Sequence, residues 1–329
     1  MTQSSIGPSN DNPSRRHVLG IFAATSGVGL MAAMGMGTLA ADTTSFTAKW
    51  RGVALGGEAT MVLVHAEEKM AKAGLEKAVS EMKRLEEIFS VYDSSSAVSK
   101  LNREGFLLNP PMELVALLAR AERLHQASNG MFDISVQPLW EHAYSGSLSA
   151  SADIAVTRVG QKQIRISREK ITLGEGQRIT LNGIAQGAIT DYLAQLLKRE
   201  GFGDILLNTG EIRALGRSPD GDHWKIAIGD EDGPKISLNQ MAVATSAPAA
   251  HGVHLFNPET GRHGSLYRSV TVLASNATLA DGLSTALSVT EETDWPKITE
   301  NFEEGTLYIY AVRRDGSKFS SANWHSLSS

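Results

Sequence analysis

The amino-acid sequence predicts an α+β fold with mixed, largely antiparallel sheets and flanking helices. Short segments of alternating apolar and polar residues are often separated by turns of the hairpin type, and helical periodicity interrupts them only irregularly. A doubly wound parallel fold would alternate strands and helices regularly. No internal repeat and no linker interrupts residues 46–325, so we expect one compact catalytic domain there.

Ten segments have the alternating pattern of strands. The first two flank Gly56 and Gly57 and suit a hairpin with a tight turn. The next two are short and lie among Ser- and Gly-rich connections. In chain order, the predicted strands are Phe46–Val53, Ala59–His65, Gln163–Ile166, Arg178–Leu181, Asp204–Asn208, Glu211–Leu215, Trp224–Ile228, Gln240–Thr245, Ser269–Ala274 and Leu307–Val312.

Four segments have apolar residues at helical spacing. The first ends at the polar residues Ser90–Ser96, and the second begins after Pro110 and Pro111. The third is followed by Gly201, a common helix stop. In chain order, the predicted helices are Glu67–Phe89, Met112–Ala127, Ile184–Glu200 and Ala277–Val289.

The composition excludes several classes of function. A formal net charge of -5 gives no electrostatic reason to expect a nucleic-acid partner. The sequence contains no cysteine, which excludes disulfides, a thiolate nucleophile, cysteine-ligated zinc and iron–sulfur clusters. A lipidated N-terminal cysteine is excluded for the same reason, so we expect that the protein is not a lipoprotein.

Residues 1–41 are typical of an export signal. Arg15 and Arg16 form a twin-arginine pair ahead of a mildly apolar run, Ile21–Leu39, which small residues follow. We expect export to the periplasm by the twin-arginine route, with residues 42–329 as the catalytic domain. An uncleaved membrane anchor is the alternative, since a run of this length could nearly span a bilayer.

Two turns could approach a ligand. Leu181–Gly187 joins a strand to the start of the third helix, where glycine admits close backbone approach and the helix-start amides favour phosphate. An ordinary turn explains these glycines as well. Asn208–Glu211 is a polar turn between two apolar strands, which either brings Glu211 to a ligand or is a plain hairpin.

Two further segments offer polar side chains. Thr245 and Ser246, with His254 in the loop beyond, could hold phosphate oxygens or move a proton, although a surface histidine in a turn is the alternative. Asp281 and Thr285 lie four residues apart on a predicted helix, so a carboxylate and a hydroxyl share one face and could converge on a cation. A solvated helix face would explain that pair more simply.

Taken in order, these segments resemble the ApbE family of flavin transferases over residues Phe46–Val289. The resemblance also includes Ser90–Ser94, Ser99–Asn102 and Gly130–Ser135. ApbE-like enzymes are exported and magnesium-dependent, and they use FAD to attach FMN covalently to a hydroxyl of another protein. Their fold is related to the tunnelling, or T-fold, architecture, which is compatible with the predicted fold class.

The resemblance implies a role for each residue of the site. It places Mg2+ at the side chains of Asp281 and Thr285 and at the backbone carbonyl of Gly183, beside the FAD pyrophosphate. It makes Asp281 or His254 the nearest candidate base. The other positions that match motifs of the family's FAD site are Tyr92, Asn102, Asp133, Gln186, Asp191, Glu211 and Ser246.

Four positions depart from the family's pattern. Its lysine is Gln186, its second glycine is Glu211, its T-S-G is Thr245–Ala247, and Asn257 replaces an aspartate. With the twin-arginine pair, these forms resemble the NosX branch, which is associated with nitrous oxide reductase maturation. That resemblance implies a NosR-like membrane protein as the acceptor flavoprotein.

Two alternatives stay open. Water in place of the protein hydroxyl would make the same site an FAD pyrophosphatase. The loss of the lysine at Gln186 is also compatible with a periplasmic flavin-binding or chaperone-like protein that has no catalytic activity.

Overall fold

The part of the chain that the computed structural model describes comprises residues 45–144, 155–228, 234–248, 255–303 and 306–327. The predicted export signal, residues 1–41, lies outside these ranges. No helix within them combines the length and the apolar character that crossing a membrane requires.

The described residues form short strands and a few long helices. The strands are β1 (Phe46–Ala54), β2 (Gly57–His65), β3 (Phe106–Leu108), β4 (Arg165–Ile166), β5 (Lys170–Thr172), β6 (Asp204–Asn208), β7 (Ile212–Leu215), β8 (Trp224–Ala227), β9 (Lys235–Leu238), β10 (Ala242–Ser246), β11 (Tyr267–Ala274), β12 (Tyr308–Arg313) and β13 (Lys318–Ser320). The helices are α1 (Glu68–Phe89), α2 (Ala97–Glu104), α3 (Met112–Ala127), α4 (Gln137–Tyr144), α5 (Ala185–Arg199), α6 (Ala277–Ser288) and α7 (Trp295–Thr299).

The largest sheet of the described residues has eight strands in the order β1-β2-β6-β7-β10-β11-β12-β13. Neighbouring strands in it are antiparallel throughout. The strands β3, β5 and β4 form a small antiparallel sheet, and β8 pairs with β9 in an antiparallel hairpin. The predicted α+β class with largely antiparallel sheets and flanking helices is therefore confirmed.

The eight-stranded sheet buries side chains on both faces, because successive residues of a strand point to opposite sides. On β2, Leu63 belongs to the core that contains α1, α5 and α6, whereas Val64 belongs to a second core. Val272 and Leu273 of β11 divide in the same way. The second core is closed by the β8–β9 hairpin and by Trp324, so the helices that carry the predicted site all lie on one side of the sheet.

The long predicted elements are confirmed to within one residue at each end. They are α1, α3, α5 and α6, each of which has the apolar periodicity that predicts a buried face. The N-terminal hairpin is confirmed as well, with pairing from Phe46 and His65 to Ala54 and Gly57. The elements that the sequence did not predict are short, at eight residues or fewer: α2, α4, α7, β3, β5, β9 and β13.

The predicted strand Arg178–Leu181 is wrong. Its backbone is bound by a side chain, because Asn102 accepts from Ile179 N at 2.7 Å and donates to Ile179 O at 2.8 Å. A side-chain amide thus takes the place of a neighbouring strand. Of the predicted strand Gln163–Ile166, only β4 is a strand, since Gln161–Gln163 form a 3-10 turn.

Helices α5 and α6 approach each other closely at their starts. Gly187 is the third residue of α5, and a β-carbon there would lie 2.3 Å from the carbonyl oxygen of Ala277. Helix α6 begins after Asn276, whose side chain accepts from Leu279 N at 2.9 Å. The missing side chain at Gly187 is therefore what lets the two helix starts touch.

Replacing Gly187 with alanine should separate these helices. We expect Gly187→Ala to lower the free energy of unfolding by about 1–3 kcal/mol, because the new methyl group meets backbone that cannot rotate away. Urea denaturation measures the change. Gly203→Ala is the matched control, since nothing lies within 4 Å of the added carbon. Equal stability of the two variants would contradict the tight contact.

Candidate functional site

Asp281 and Thr285 lie on α6 where this helix faces the start of α5. Asp281 is 4% exposed, and its Oδ2 accepts from Gly187 N at 3.0 Å. Gly187 N is a first-turn amide, which has no partner within its own helix. Thr285 follows one turn later on the same face of α6. The structure therefore places the predicted acid and alcohol beside the glycine loop, residues 181–187.

Two more predicted residues meet at Thr285. Gly183 packs directly against it, since a β-carbon on Gly183 would be 2.8 Å from Thr285 Oγ1. From β10, Ser246 Oγ lies 2.8 Å from Ser284 Oγ and 3.4 Å from Thr285 Oγ1. The end of β10, the face of α6 and the glycine loop thus form one junction, which we call the α5–α6 junction.

The donors at the α5–α6 junction fit Mg2+. Asp281, Thr285 and the Gly183 carbonyl are a carboxylate, a hydroxyl and a backbone carbonyl, and such hard oxygen donors suit this ion. The described residues contain no group of three or more His, Asp or Glu side chains that could hold a metal. A cation at the junction would complete its shell with water or phosphate oxygens, as Mg2+ does in nucleotide sites.

Asp191 binds the start of α6 with both of its carboxylate oxygens. Its Oδ1 accepts from Ala277 N at 2.9 Å, and its Oδ2 accepts from Thr278 N at 2.9 Å and Thr278 Oγ1 at 2.6 Å. Arg213 Nη1 donates to Oδ1 at 3.0 Å. Both oxygens of Asp191 are therefore bound by the start of α6 and by Arg213, and its contact with FAD stays a prediction.

Gln186 stands at the position of the family's lysine and is buried. Its side-chain amide packs against Gly210, where a β-carbon would lie 2.2 Å from Nε2 and where φ is 111°. Thr190 Oγ1 connects the two segments, donating to Gln186 O at 2.8 Å and lying 2.6 Å from Thr209 Oγ1. Gln186 and the turn after β6 therefore form one packed unit beside the glycine loop.

Glu211 belongs to the same unit. Its side chain is 6% exposed, and its carbonyl oxygen lies 3.2 Å from Thr190 Oγ1. The two departures from the family pattern at Gln186 and Glu211 are thus adjacent in space and are joined through one threonine.

Tyr92 borders a cavity of about 420 Å³ between the β1–β2 turn and the end of α1. Its side chain is 54% exposed, and its hydroxyl accepts from Asn182 Nδ2 at 2.9 Å. The cavity is also lined by Leu55 in the β1–β2 turn and by Glu86 near the end of α1. Tyr92 therefore offers an accessible aromatic ring at the edge of the loop that carries Gly183.

Asn102 and Asp133 bind backbone groups of neighbouring segments. Asn102 binds the segment that leads into the glycine loop. Asn102 bonds to the backbone of Ile179, as described above. Asp133 Oδ1 accepts from Ser135 N at 2.8 Å, and its Oδ2 accepts from Gln161 N at 3.1 Å. Backbone groups therefore bind both side chains, and the contacts of Asn102 and Asp133 with FAD stay predictions.

Asn257 donates a hydrogen bond that the family's aspartate, when ionised, could not donate. Its Oδ1 accepts from Glu259 N at 3.0 Å and Thr260 N at 2.9 Å, while its Nδ2 donates to Val289 O at 3.3 Å. An ionised carboxylate has no donor for that last bond. Asparagine therefore ties this turn to the end of α6. His254, the predicted catalytic histidine, lies outside the described residues.

The sequence interpretation missed Arg213, Asn182 and Ser284. Arg213 is the one charged residue of β7, between the buried Ile212 and Ala214. A lone charge within an apolar strand is a signal that could have found it, because a buried charge needs a partner. Asn182 and Ser284 carry no comparable signal, since polar residues are common in turns and helices.

A family model described as the ApbE family matches residues 55–309 of this chain. Curated relatives include an FAD:protein FMN transferase from Haemophilus influenzae, 28% identical over 266 residues, which cover 70% of this chain and 75% of that protein. An FAD:protein FMN transferase from Vibrio cholerae is 28% identical over 242 residues, covering 63% of this chain and 71% of that protein.

Solved structures show the same architecture. The apo form of the Pseudomonas stutzeri flavinyl transferase ApbE superposes with a TM-score of 0.75 and 26% identity, covering 87% of this chain and 98% of that one. The ApbE protein of Thermotoga maritima has a TM-score of 0.74 and 26% identity, covering 86% of this chain and 100% of that one. The fold is thus shared over nearly the whole length of these proteins.

Glu86 lines the cavity beside Tyr92. Among the carboxyl groups of the described residues that line this cavity, it is the one with a raised pKa. Its Oε1 accepts from Leu55 N. Burial raises the pKa of the Glu86 carboxyl above its usual 4.5, against smaller lowering effects of the Leu55 amide and Lys83. The folded protein therefore keeps this proton to a higher pH than the unfolded chain does, and stability falls as pH rises through that interval.

Glu86→Gln should remove this pH dependence while keeping an acceptor for Leu55 N. We expect the variant to gain stability relative to the wild type as pH rises from about 4 to about 7, because only the wild type then carries a half-buried charge. Denaturant unfolding at a series of pH values measures it. Glu87→Gln removes the same charge from an exposed neighbour and should show a weaker trend. A difference between Glu86→Gln and wild type that does not vary with pH would contradict the assignment.

Proposed function

The chain belongs to the ApbE family, and from this premise we propose that it is an FAD:protein FMN transferase. The proposal includes dependence on Mg2+ and covalent attachment of FMN to a Thr or Ser hydroxyl of an acceptor protein. The observation that carries it is the α5–α6 junction, where Asp281, Thr285 and Gly183 meet beside the loop that the resemblance assigns to FAD.

The proposed reaction is a phosphoryl transfer with FAD as the donor substrate. The acceptor oxygen attacks the FMN phosphorus, the bond from that phosphorus to the bridging oxygen breaks, and AMP leaves with the bridging oxygen. Mg2+, when bound, would neutralise charge on the pyrophosphate and on the departing AMP. Asp281 would hold the cation with its negative charge, while Thr285 and the Gly183 carbonyl would add neutral oxygens.

Side chains and amides of this protein would accept the proton, orient the carboxylate and contact FAD. The hydroxyl proton of the acceptor has to pass to a base, for which Asp281 and His254 are the candidates. The amide of Gly187 fixes the direction of the Asp281 carboxylate. Tyr92 could stack on the flavin ring, since an exposed aromatic face at the loop edge suits a flat ligand. Gln186, buried beside Gly210, would take the lysine's place near the nucleotide without its charge.

Two further parts of the proposal concern the acceptor protein and the cellular location of the enzyme. The twin-arginine pair at Arg15 and Arg16 supports export to the periplasm. The resemblance to the NosX branch supports a NosR-like membrane protein as the acceptor. Both parts are separable from the chemistry, because an enzyme can be assayed with any protein that carries a suitable hydroxyl.

Asp281→Asn tests the proposed reaction. We expect FMN attachment to fall by about a hundredfold or more, because the negative charge that holds the cation is lost. Mass spectrometry of a NosR-like domain after incubation with FAD and Mg2+ would report the added FMN. Ser288→Ala lies on the same helix and removes only a hydrogen bond to Ser284 O, so it should label normally. Full labelling by Asp281→Asn would refute the assigned role.

Incubation with FAD and Mg2+ but no acceptor separates transfer from the alternatives. We expect slow release of AMP, which adding an acceptor accelerates, because a transferase needs the protein hydroxyl as its nucleophile. Chromatography of the nucleotide products measures the rate. Rapid release of AMP without acceptor would favour an FAD pyrophosphatase. Tight FAD binding with no turnover on any acceptor would favour a non-catalytic flavin-binding protein.

A further inference from the structure

The first turn of α6 is completed entirely by side chains. Two of its amides, Ala277 N and Thr278 N, donate to the carboxylate of Asp191 on α5, each at 2.9 Å. The third, Leu279 N, donates to Asn276 Oδ1 at 2.9 Å. Helix-start amides lack partners in their own helix, so these bonds fix where α6 begins.

The start of α5 is bound in the same way by a side chain of α6. Gly187 N, in the first turn of α5, donates to Asp281 Oδ2 at 3.0 Å. Each helix start is thus bound by an aspartate of the other helix, Asp191 in one direction and Asp281 in the other. These three bonds run in both directions between the helices, so a shift of one helix start strains the other.

We propose that Asp191 is a positioning residue for the cation of the proposed FMN transfer, and that it acts through α6 without touching the cation or FAD. The inference rests on the proposed function, which supplies the cation. Asp281 lies one helical turn beyond Ala277 and Thr285 lies two turns beyond it, so both side chains move with the helix start that Asp191 holds.

Small displacements of α6 would weaken binding of the cation, because Asp281 and Thr285 move with this helix. Mg2+ needs near-ideal octahedral geometry at short distances, which leaves little room for a misplaced carboxylate. The same displacement would also alter the contact of Thr285 with Gly183, where a β-carbon would already lie 2.8 Å from the hydroxyl. Residues that orient the ligands of a metal typically change its affinity when they are replaced.

Arg213 completes the arrangement on the far side of Asp191. Its Nη1 donates to Asp191 Oδ1 at 3.0 Å and to Ser275 O at 2.6 Å, just ahead of α6. The positive charge of Arg213 compensates the carboxylate, which is only 3% exposed. Asp191 therefore accepts from several donors with both of its oxygens, a role that asparagine cannot fill because its amide nitrogen would face Ala277 N or Thr278 N.

The test is Mn2+ binding to Asp191→Asn, measured by electron paramagnetic resonance of the full-length protein without FAD. Mn2+ is the probe because it takes the same oxygen ligands as Mg2+. We expect the dissociation constant to rise by about tenfold or more. In the transfer assay, the apparent constant for Mg2+ should rise while kcat at saturating Mg2+ stays near that of the wild type, a split that general destabilisation would not produce.

Asp204→Asn is the matched control. Asp204 Oδ1 also accepts from a backbone amide, Arg217 N at 2.7 Å, but it lies at the start of β6 and bonds to neither helix. This variant should bind Mn2+ like the wild type. Equal affinity of Asp191→Asn and wild type would overturn the inference while leaving the proposed function in place. No Mn2+ binding by the wild type itself would overturn both.

A second pair of variants covers the case in which Asp191→Asn does not fold. Thr278→Ala removes the hydroxyl that donates to Asp191 Oδ2 at 2.6 Å, whereas Thr278→Ser keeps it. We expect weaker Mn2+ binding for the alanine variant and wild-type binding for the serine variant. Equal binding by the two would overturn the inference.

Discussion

Two buried aspartates bound to each other's helices determine the position of the candidate site. Asp191 holds the start of α6, and Asp281 accepts from the start of α5. A buried carboxylate without donors would cost several kcal/mol, so neither helix can slide without breaking bonds to the other. Gly187 makes this exchange possible, because any side chain there would collide with Ala277. The contact of the glycine loop with Thr285 follows from that fixed pairing.

Seven of the residues that match the family's motifs fall into two groups once their partners are known. Gly183, Ser246, Asp281 and Thr285 lie at the α5–α6 junction, where Gly183 and Ser246 both approach Thr285 and Asp281 accepts from Gly187 N. Asn102, Asp133 and Asp191 bind backbone amides or carbonyls instead. The bonds of the second group are as well defined as those of the first. Each of its side chains bonds to a backbone amide or carbonyl that has no partner in its own helix or strand. Through these bonds, Asn102, Asp133 and Asp191 hold the backbone around the site in place.

The sequence predicted the parts of the fold that depend on local pattern. Helices α1 and α5 were predicted to within a residue because many apolar positions repeat along them. The segment Arg178–Leu181 was mispredicted because its partner, Asn102, lies 77 residues earlier, beyond any local pattern. The i, i+4 spacing of Asp281 and Thr285 predicted a shared face, and the structure adds the close approach of Gly183, which no spacing could give. The hydrogen-bond partners of Asp191 could not be predicted for the same reason, since they lie 86 and 87 residues away.

The departures from the family pattern also change the charge of the site. A lysine and a glycine at the positions of Gln186 and Glu211 would contribute a formal +1, whereas glutamine and glutamate contribute a formal -1. The two residues lie in one buried unit beside the glycine loop, where Thr190 Oγ1 approaches the backbone carbonyl of each. Such a unit lacks the positive charge that the family's lysine would offer to the diphosphate of a dinucleotide. The binding energy for an anionic substrate would therefore have to come from elsewhere at the junction, and a divalent cation held by Asp281 is the source that its oxygen donors favour.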